Sequence, residues 1–133
     1  MNLKDAERRV TVLLVDEHQV FLSVVRQCLM LQGGLDVETA ISCHEAFKKM
    51  EKINPDVIVC SFQMHGDNSF VFLKELRDKG NETPLIGLIS YEEHDVALEA
   101  LDLGATGFVN TLGEPEVVYP ALKDFIVSVA KTG

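Results

Sequence analysis

An α/β fold built on a parallel sheet is predicted by three features of the chain. Short apolar runs, Val12-Leu13-Leu14-Val15, Val57-Ile58-Val59-Cys60 and Pro84 to Ile89, end at polar or turn residues. Segments of helical period lie between them, the alternation expected of buried strands joined by crossover helices. Each run is followed at once by a group able to do chemistry: Asp16 and Glu17, then Ser61, then Ser90.

The elements follow in order. After the first strand, Val20, Phe21, Val24, Val25, Cys28 and Leu29 recur at helical spacing, and Gly33-Gly34 end that helix. Leu35 to Ala40 is the second strand. Ser42, with Glu45 three residues on, caps a helix whose stripe is Ala46, Phe47, Met50 and Ile53, broken at Asn54-Pro55. The third strand follows directly. Asp67-Asn68-Ser69 forms a turn, with Asn68 or Ser69 as the cap of a helix marked by Phe70, Leu73 and Leu76 that stops near Gly80-Asn81. Pro84 opens strand four, Ser90 begins the fourth helix, Gly104 ends it, and Ala105 to Val109 make a short fifth strand. In the last helix Pro115 suits the first turn. Pro120 is an anomaly: either the helix starts late or it bends there, and the first-turn reading is the simpler one. Leu122, Phe125, Ile126 and Val129 continue its apolar stripe.

In a sheet of this kind ligands bind beyond the carboxyl ends of the strands. Asp16, Glu17, Ser61 and Ser90 should therefore meet in one crevice. The 133 residues suit one domain. A net charge of −9, without a Lys/Arg cluster, opposes binding to nucleic acid or to anionic membranes. No apolar stretch approaches membrane-spanning length and no secretory signal is visible, so a cytoplasmic protein is expected. Cys28, Cys43 and Cys60 lack metal-ligand spacing and sit in or beside apolar sequence, as core residues of a reducing compartment do.

Three blocks carry a resemblance to a known family: Val12-Leu13-Leu14-Val15-Asp16-Glu17-His18, Pro55 to Met64, and Gly104-Ala105-Thr106-Gly107-Phe108-Val109. In order and spacing the chain resembles the CheY-like receiver domain of two-component response regulators, over residues 10–131, with 1–9 as an N-terminal extension. The resemblance implies a flavodoxin-like, doubly wound five-stranded sheet of order 2-1-3-4-5. In that family an acidic pair and an aspartate after the third strand hold Mg²⁺, and the aspartate accepts a phosphoryl group from a histidine kinase. Here the pair is Asp16 and Glu17, but the acceptor position is Ser61. The hydroxyl position after strand four is Ser90, the aromatic switch is Phe108, the family lysine falls at Thr111, and the usual loop proline at His65. The stretches Cys60 to Gly66 and Leu112 to Val117 are similar to receivers of methanogenic archaea that precede sensor modules.

A carboxylate attacks phosphorus as an anion, whereas a serine hydroxyl needs an activating base and would leave a stable ester. Thr111 cannot supply the lysine charge that offsets a phosphoryl group. The expected function is therefore a degenerate receiver, not an enzyme. It would act as an interaction module toward a histidine kinase or a sensor or output module, with a homodimer through the fourth helix, fifth strand and fifth helix as another use of the same face. No cofactor is required. Asp16 and Glu17 either bind Mg²⁺ weakly or are solvated acids at a loop end. The alternative is a phosphorylatable receiver using another acceptor, Asp67 or Asp56. A hydrolase centred on Ser61 would need His65 or His18 turned toward it, and His65 could otherwise serve as a metal ligand or pH sensor. A flavin-binding domain of similar topology would need a hydroxyl-rich phosphate loop after strand one, which the sequence lacks.

Overall fold

In the computed structural model, which describes residues 9–62, 68–90 and 94–130 (His94 by its backbone only), five strands alternate with five helices. These are β1 (Val10–Val15), α1 (Gln19–Leu31), β2 (Leu35–Ala40), α2 (Cys43–Met50), β3 (Val57–Ser61), α3 (Ser69–Asp78), β4 (Leu85–Ile89), α4 (His94–Asp102), β5 (Gly107–Asn110) and α5 (Pro115–Ala130). All strand pairs are parallel, in the order β2-β1-β3-β4-β5. The flavodoxin-like topology expected from the sequence is the one found.

Strand composition follows position in the sheet. Every residue of central β3 is buried, because helices cover both of its faces. Edge strand β2 instead alternates, with Leu35 and Val37 inward and Asp36 and Glu38 outward. Side-chain alternation divides the core into two layers. Val12, Leu14, Val57, Val59, Ile86 and Leu88 pack with α1 and α5; Leu13, Val15, Ile58, Cys60 and Leu85 pack with α2, α3 and α4. Cys43 and Cys60 are buried and Cys28 is half-buried, all outside any disulfide, in keeping with their expected role as small core residues.

Helix ends are set by local chemistry. Ser42 Oγ accepts the Glu45 amide at 3.0 Å, and Asn68 Oδ1 accepts the amides of Phe70 and Val71, so Asn68 rather than Ser69 is the cap of α3. Gly80 and Gly104 both take positive φ, at 80° and 105°. The amides that follow them reach back five residues, Asn81 to Leu76 O and Ala105 to Ala100 O. That second closure corrects the expected start of strand five: the Ala105 amide is spent on α4, and β5 begins at Gly107. For α4 the described helix begins at His94, and residues 91–93, between it and the expected start at Ser90, lie outside the described residues. Helix α5 runs from Pro115, so Pro120 lies inside it, beyond the first turn, and Glu116 has no amide partner four residues on.

Arg77 ties two of these helix ends together. Its Nε and Nη2 donate to Gly104 O at 3.1 and 2.9 Å, and Nη1 donates to Asn81 O at 2.9 Å. One side chain thereby satisfies carbonyls at the ends of both α3 and α4. Burial pulls its pKa below the ordinary guanidinium value, opposed by the charge of Glu82.

Candidate functional site

The strand order reverses between β1 and β3, and there the parallel register brings the acidic residues beside the hydroxyl. Val15 pairs with Cys60, so Asp16 and Ser61 follow on adjacent strands at the carboxyl edge. On the other side, Ile89 pairs with Asn110, which puts Ser90 beside Thr111. The crevice thus has a β1–β3 half with Asp16, Glu17 and Ser61, and a β4–β5 half with Ser90, Thr111 and Phe108.

Asp16 is 3% exposed. Its amide donates to Ala40 O at 3.1 Å, which holds the residue against β2. Its Oδ1 accepts the His18 amide at 2.8 Å and lies 3.2 Å from His18 Nδ1. His18 begins α1 as its N-cap, so the Asp16 carboxylate sits at the positive end of that helix. Glu17 is half-buried beside it. Ser61 is buried. Its carbonyl accepts the Ser69 hydroxyl at 2.5 Å, and Cys60 Sγ lies 3.7 Å from the same Ser69 Oγ, so the end of β3 is tied to the start of α3.

In the β4–β5 half, the Thr111 amide and hydroxyl both donate to Ile89 O, at 2.8 and 3.3 Å. The Thr111 side chain is therefore turned back onto β4. Phe108 packs edge-on against Phe62 with ring centroids 5.2 Å apart, and Phe62 meets Phe70 at 5.3 Å. The Phe108 ring also lies over Gly87, its cross-strand partner: a Cβ built on Gly87 would fall 2.2 Å from a ring carbon. No larger residue fits beneath the ring as it stands. On the opposite face of the sheet Phe125 of α5 covers Gly107 in the same way, at 2.5 Å.

Asp56, an alternative acceptor, accepts the Thr11 amide through Oδ2 at 2.8 Å, and its own amide donates to Thr11 O. It is fixed at the amino end of the sheet, opposite Ser61. Asp67, His65 and Met64 lie outside the described residues. The donors at the acid site are two carboxylates and a neutral hydroxyl, and no cluster of three or more His, Cys, Asp or Glu side chains fit to hold a metal occurs among the described residues. No described helix is long and apolar enough to cross a membrane.

Ser69 and Gly87 are the site residues that sequence reasoning missed. From its residue type and place Ser69 reads only as a cap. Gly87 carried a usable signal, since a glycine inside a buried strand marks a close approach by another group.

A parallel 2-1-3-4-5 sheet with an acidic pair at its switch point defines a receiver-type signalling domain. The chain belongs to the response regulator receiver domain family, whose model matches residues 12–119. It is 30% identical over 103 residues to a protein-glutamate methylesterase/protein-glutamine glutaminase of Treponema denticola, covering 75% of this chain and 28% of that protein. It is 30% identical over 114 residues to the nitrate/nitrite response regulator NarL of Escherichia coli K12, covering 84% of this chain and 52% of that one. The chain thus spans about half or less of these curated relatives. The structure of the chemotaxis response regulator CheY4 of Vibrio cholerae matches with a TM-score of 0.75 at 28% identity, over 87% of this chain and 98% of that one. The Francisella response regulator 1452 receiver domain shares the fold, with a TM-score of 0.80 at 22% identity over 93% and 98% of the two chains. Receiver domains work in two-component signalling, where they meet kinases and output domains.

Proposed function

We propose that this receiver acts as a protein-interaction module that has lost ordinary phosphoryl transfer and is not an enzyme. The observation that carries the reading is Ser61 at the end of β3, in register beside Asp16, where the family resemblance expects an aspartate. A neutral hydroxyl there is a poor nucleophile without a base and a poor Mg²⁺ ligand. Thr111 supports the same reading, because its hydroxyl is turned onto Ile89 O and carries no charge to offset a phosphoryl group. The two replacements remove one anion and one cation together, so the formal charge of the crevice is unchanged while its chemistry is lost. Where a cation binds at all, Asp16 and Glu17 would hold it, weakly, and it would serve to neutralise phosphate oxygens. His18 competes for the Asp16 carboxylate.

The β4–β5 half supports a constant surface state. Phe108, at the aromatic switch position, is seated on Gly87 and against Phe62, so its inward position is held by packing that needs no phosphate. A conformational equilibrium can be reset in this way without a ligand. The module would act in the cytoplasm. The receiver domain is proposed to span 10–131, with 1–9 as an N-terminal extension; the family match begins at residue 12, and Arg9 donates to Asp36 Oδ1 and Leu35 O at 2.8 Å.

Incubation with acetyl phosphate and Mg²⁺, followed by intact-mass measurement, tests the reading. No phosphoryl adduct is expected, and beryllofluoride with Mg²⁺ should leave the thermal midpoint unchanged. A stoichiometric adduct on any residue would show that transfer chemistry survives at a non-standard acceptor.

A further inference from the structure

Strand β2 is one free edge of the sheet, six residues long against four for β5 at the other edge. Its backbone groups alternate in direction. Gly34 O and Ala40 O accept the Val10 and Asp16 amides, toward β1, so the carbonyls of Leu35, Val37 and Thr39 point away from the sheet. A row of such groups is a template on which another strand can pair.

Each of the three outward carbonyls accepts from a cationic side chain. Arg9 Nη2 donates to Leu35 O at 2.8 Å, Arg26 Nε to Val37 O at 3.0 Å, and Lys49 Nζ to Thr39 O at 2.5 Å. The donors come from three separate places: the residue before β1, helix α1 and helix α2. Two of them are braced by acids, Arg9 Nε donating to Asp36 Oδ1 at 2.8 Å and Lys49 Nζ lying 3.5 Å from Glu45 Oε1. None of the three belongs to either layer of the core. Their shared feature is that they fill the acceptors of one edge, and through Arg9 the segment before β1 takes part.

The strand that fits this edge is the β2 of a second copy. A twofold axis through Val37 sets Val37 against Val37 and Leu35 against Thr39 in antiparallel register, the positions whose amides and carbonyls would bond across the pair. The same axis sets Asp36, which is exposed, against the exposed Glu38 of the other copy, like charges directly opposite each other.

We propose that the β2 edge is a self-pairing surface held closed: Arg9, Arg26 and Lys49 occupy the acceptors that the β2 of a second copy would need, and Asp36 and Glu38 repel that copy at close range. The inference does not depend on whether phosphoryl transfer is lost, and it concerns the edge opposite β5.

The test combines Arg9→Ala, Arg26→Ala and Lys49→Ala in the full chain and follows self-association by sedimentation. The comparison proteins are the parent chain and a charge-matched control with Lys48→Ala, Lys52→Ala and Lys74→Ala, three exposed cations elsewhere. High salt is used, to screen Asp36 and Glu38. The edge variant should associate at least about tenfold more tightly than the parent and the control, which should match each other. The amides of Leu35, Val37 and Thr39 should gain hydrogen-exchange protection as its concentration rises. At low salt its association should weaken, and adding Asp36→Asn with Glu38→Gln should restore it. Equal association of all three proteins, or protection that rises only outside 35–39, would overturn the proposal. Where the triple variant has a lowered thermal midpoint, Arg26→Ala with Lys49→Ala keeps Arg9 and its bond to Asp36 in place. That pair should still show concentration-dependent protection at Val37 and Thr39, and its absence there would overturn the proposal as well.

Discussion

The two halves of the crevice differ in what holds them. The β1–β3 half is electrostatic: a buried carboxylate, a second acid beside it and a histidine at a helix start, around a hydroxyl. The β4–β5 half is steric: an aromatic ring over a glycine, a second ring against it, and a threonine folded back on its neighbour strand. Charge can be restored to the first half by changing one side chain, Ser61. The second half resists, because each part occupies space another part would need. On the proposed reading, chemistry and mobility would be lost by independent routes.

The largest expected effect restores one charge in each half and leaves the packing of Phe108 on Gly87 untouched. Ser61→Asp combined with Thr111→Lys should convert a chain that takes no phosphoryl group from acetyl phosphate into one that does, by intact mass, whereas Ser61→Asp alone should remain inefficient. If hydrogen exchange over residues 94–130 then stays unchanged on phosphorylation, the steric half is independent; a change across that face would couple the halves.

Next in size is Gly87→Ala, which puts a methyl group into the Phe108 ring. It should cost about 1–3 kcal/mol in urea unfolding, and Phe108→Leu in the same background should recover part of the loss. An unaltered midpoint would mean the ring moves aside freely. Ser61→Asp by itself should tighten Mg²⁺ about tenfold, or about 1.4 kcal/mol, by calorimetry. No gain would show that His18 keeps Asp16 from the metal.

The smallest effect lies in the packing beneath the sheet. Burial raises the Tyr119 pKa, with a further push from Cys28. A raised folded-state value favours the neutral phenol. Its contribution is complete below the ordinary tyrosine value of about 10 and is lost as pH rises through the folded value. Alkaline unfolding should therefore be shallower in Tyr119→Phe than in the parent chain.

Much of this was legible in the sequence. The strands announce themselves because central parallel strands are apolar on both faces, and Asp16, Ser61 and Ser90 then fall at their carboxyl ends without further information, whereas Thr111 is placed by the family resemblance. Ala105 was misplaced because a helix closing through Gly104 uses the following amide, and nothing in the residue type distinguishes that from a strand start. The choice between Asn68 and Ser69 could not be made because both can cap; only the pull of the Ser61 carbonyl on Ser69 separates them. The use of Arg77 on Gly104, 27 residues away, is a tertiary contact that no local pattern encodes.

The ring seated on Gly87 has a consequence for how such a domain could change over generations. A larger residue at Gly87 meets the ring while Phe108 is present, but a smaller residue at Phe108 first would open the room that Gly87→Ala needs. The cost of the change at Gly87 therefore depends on whether the ring is still in place. A lineage that carries this pair leaves it by a narrow path, and Ser61→Asp does nothing to widen it.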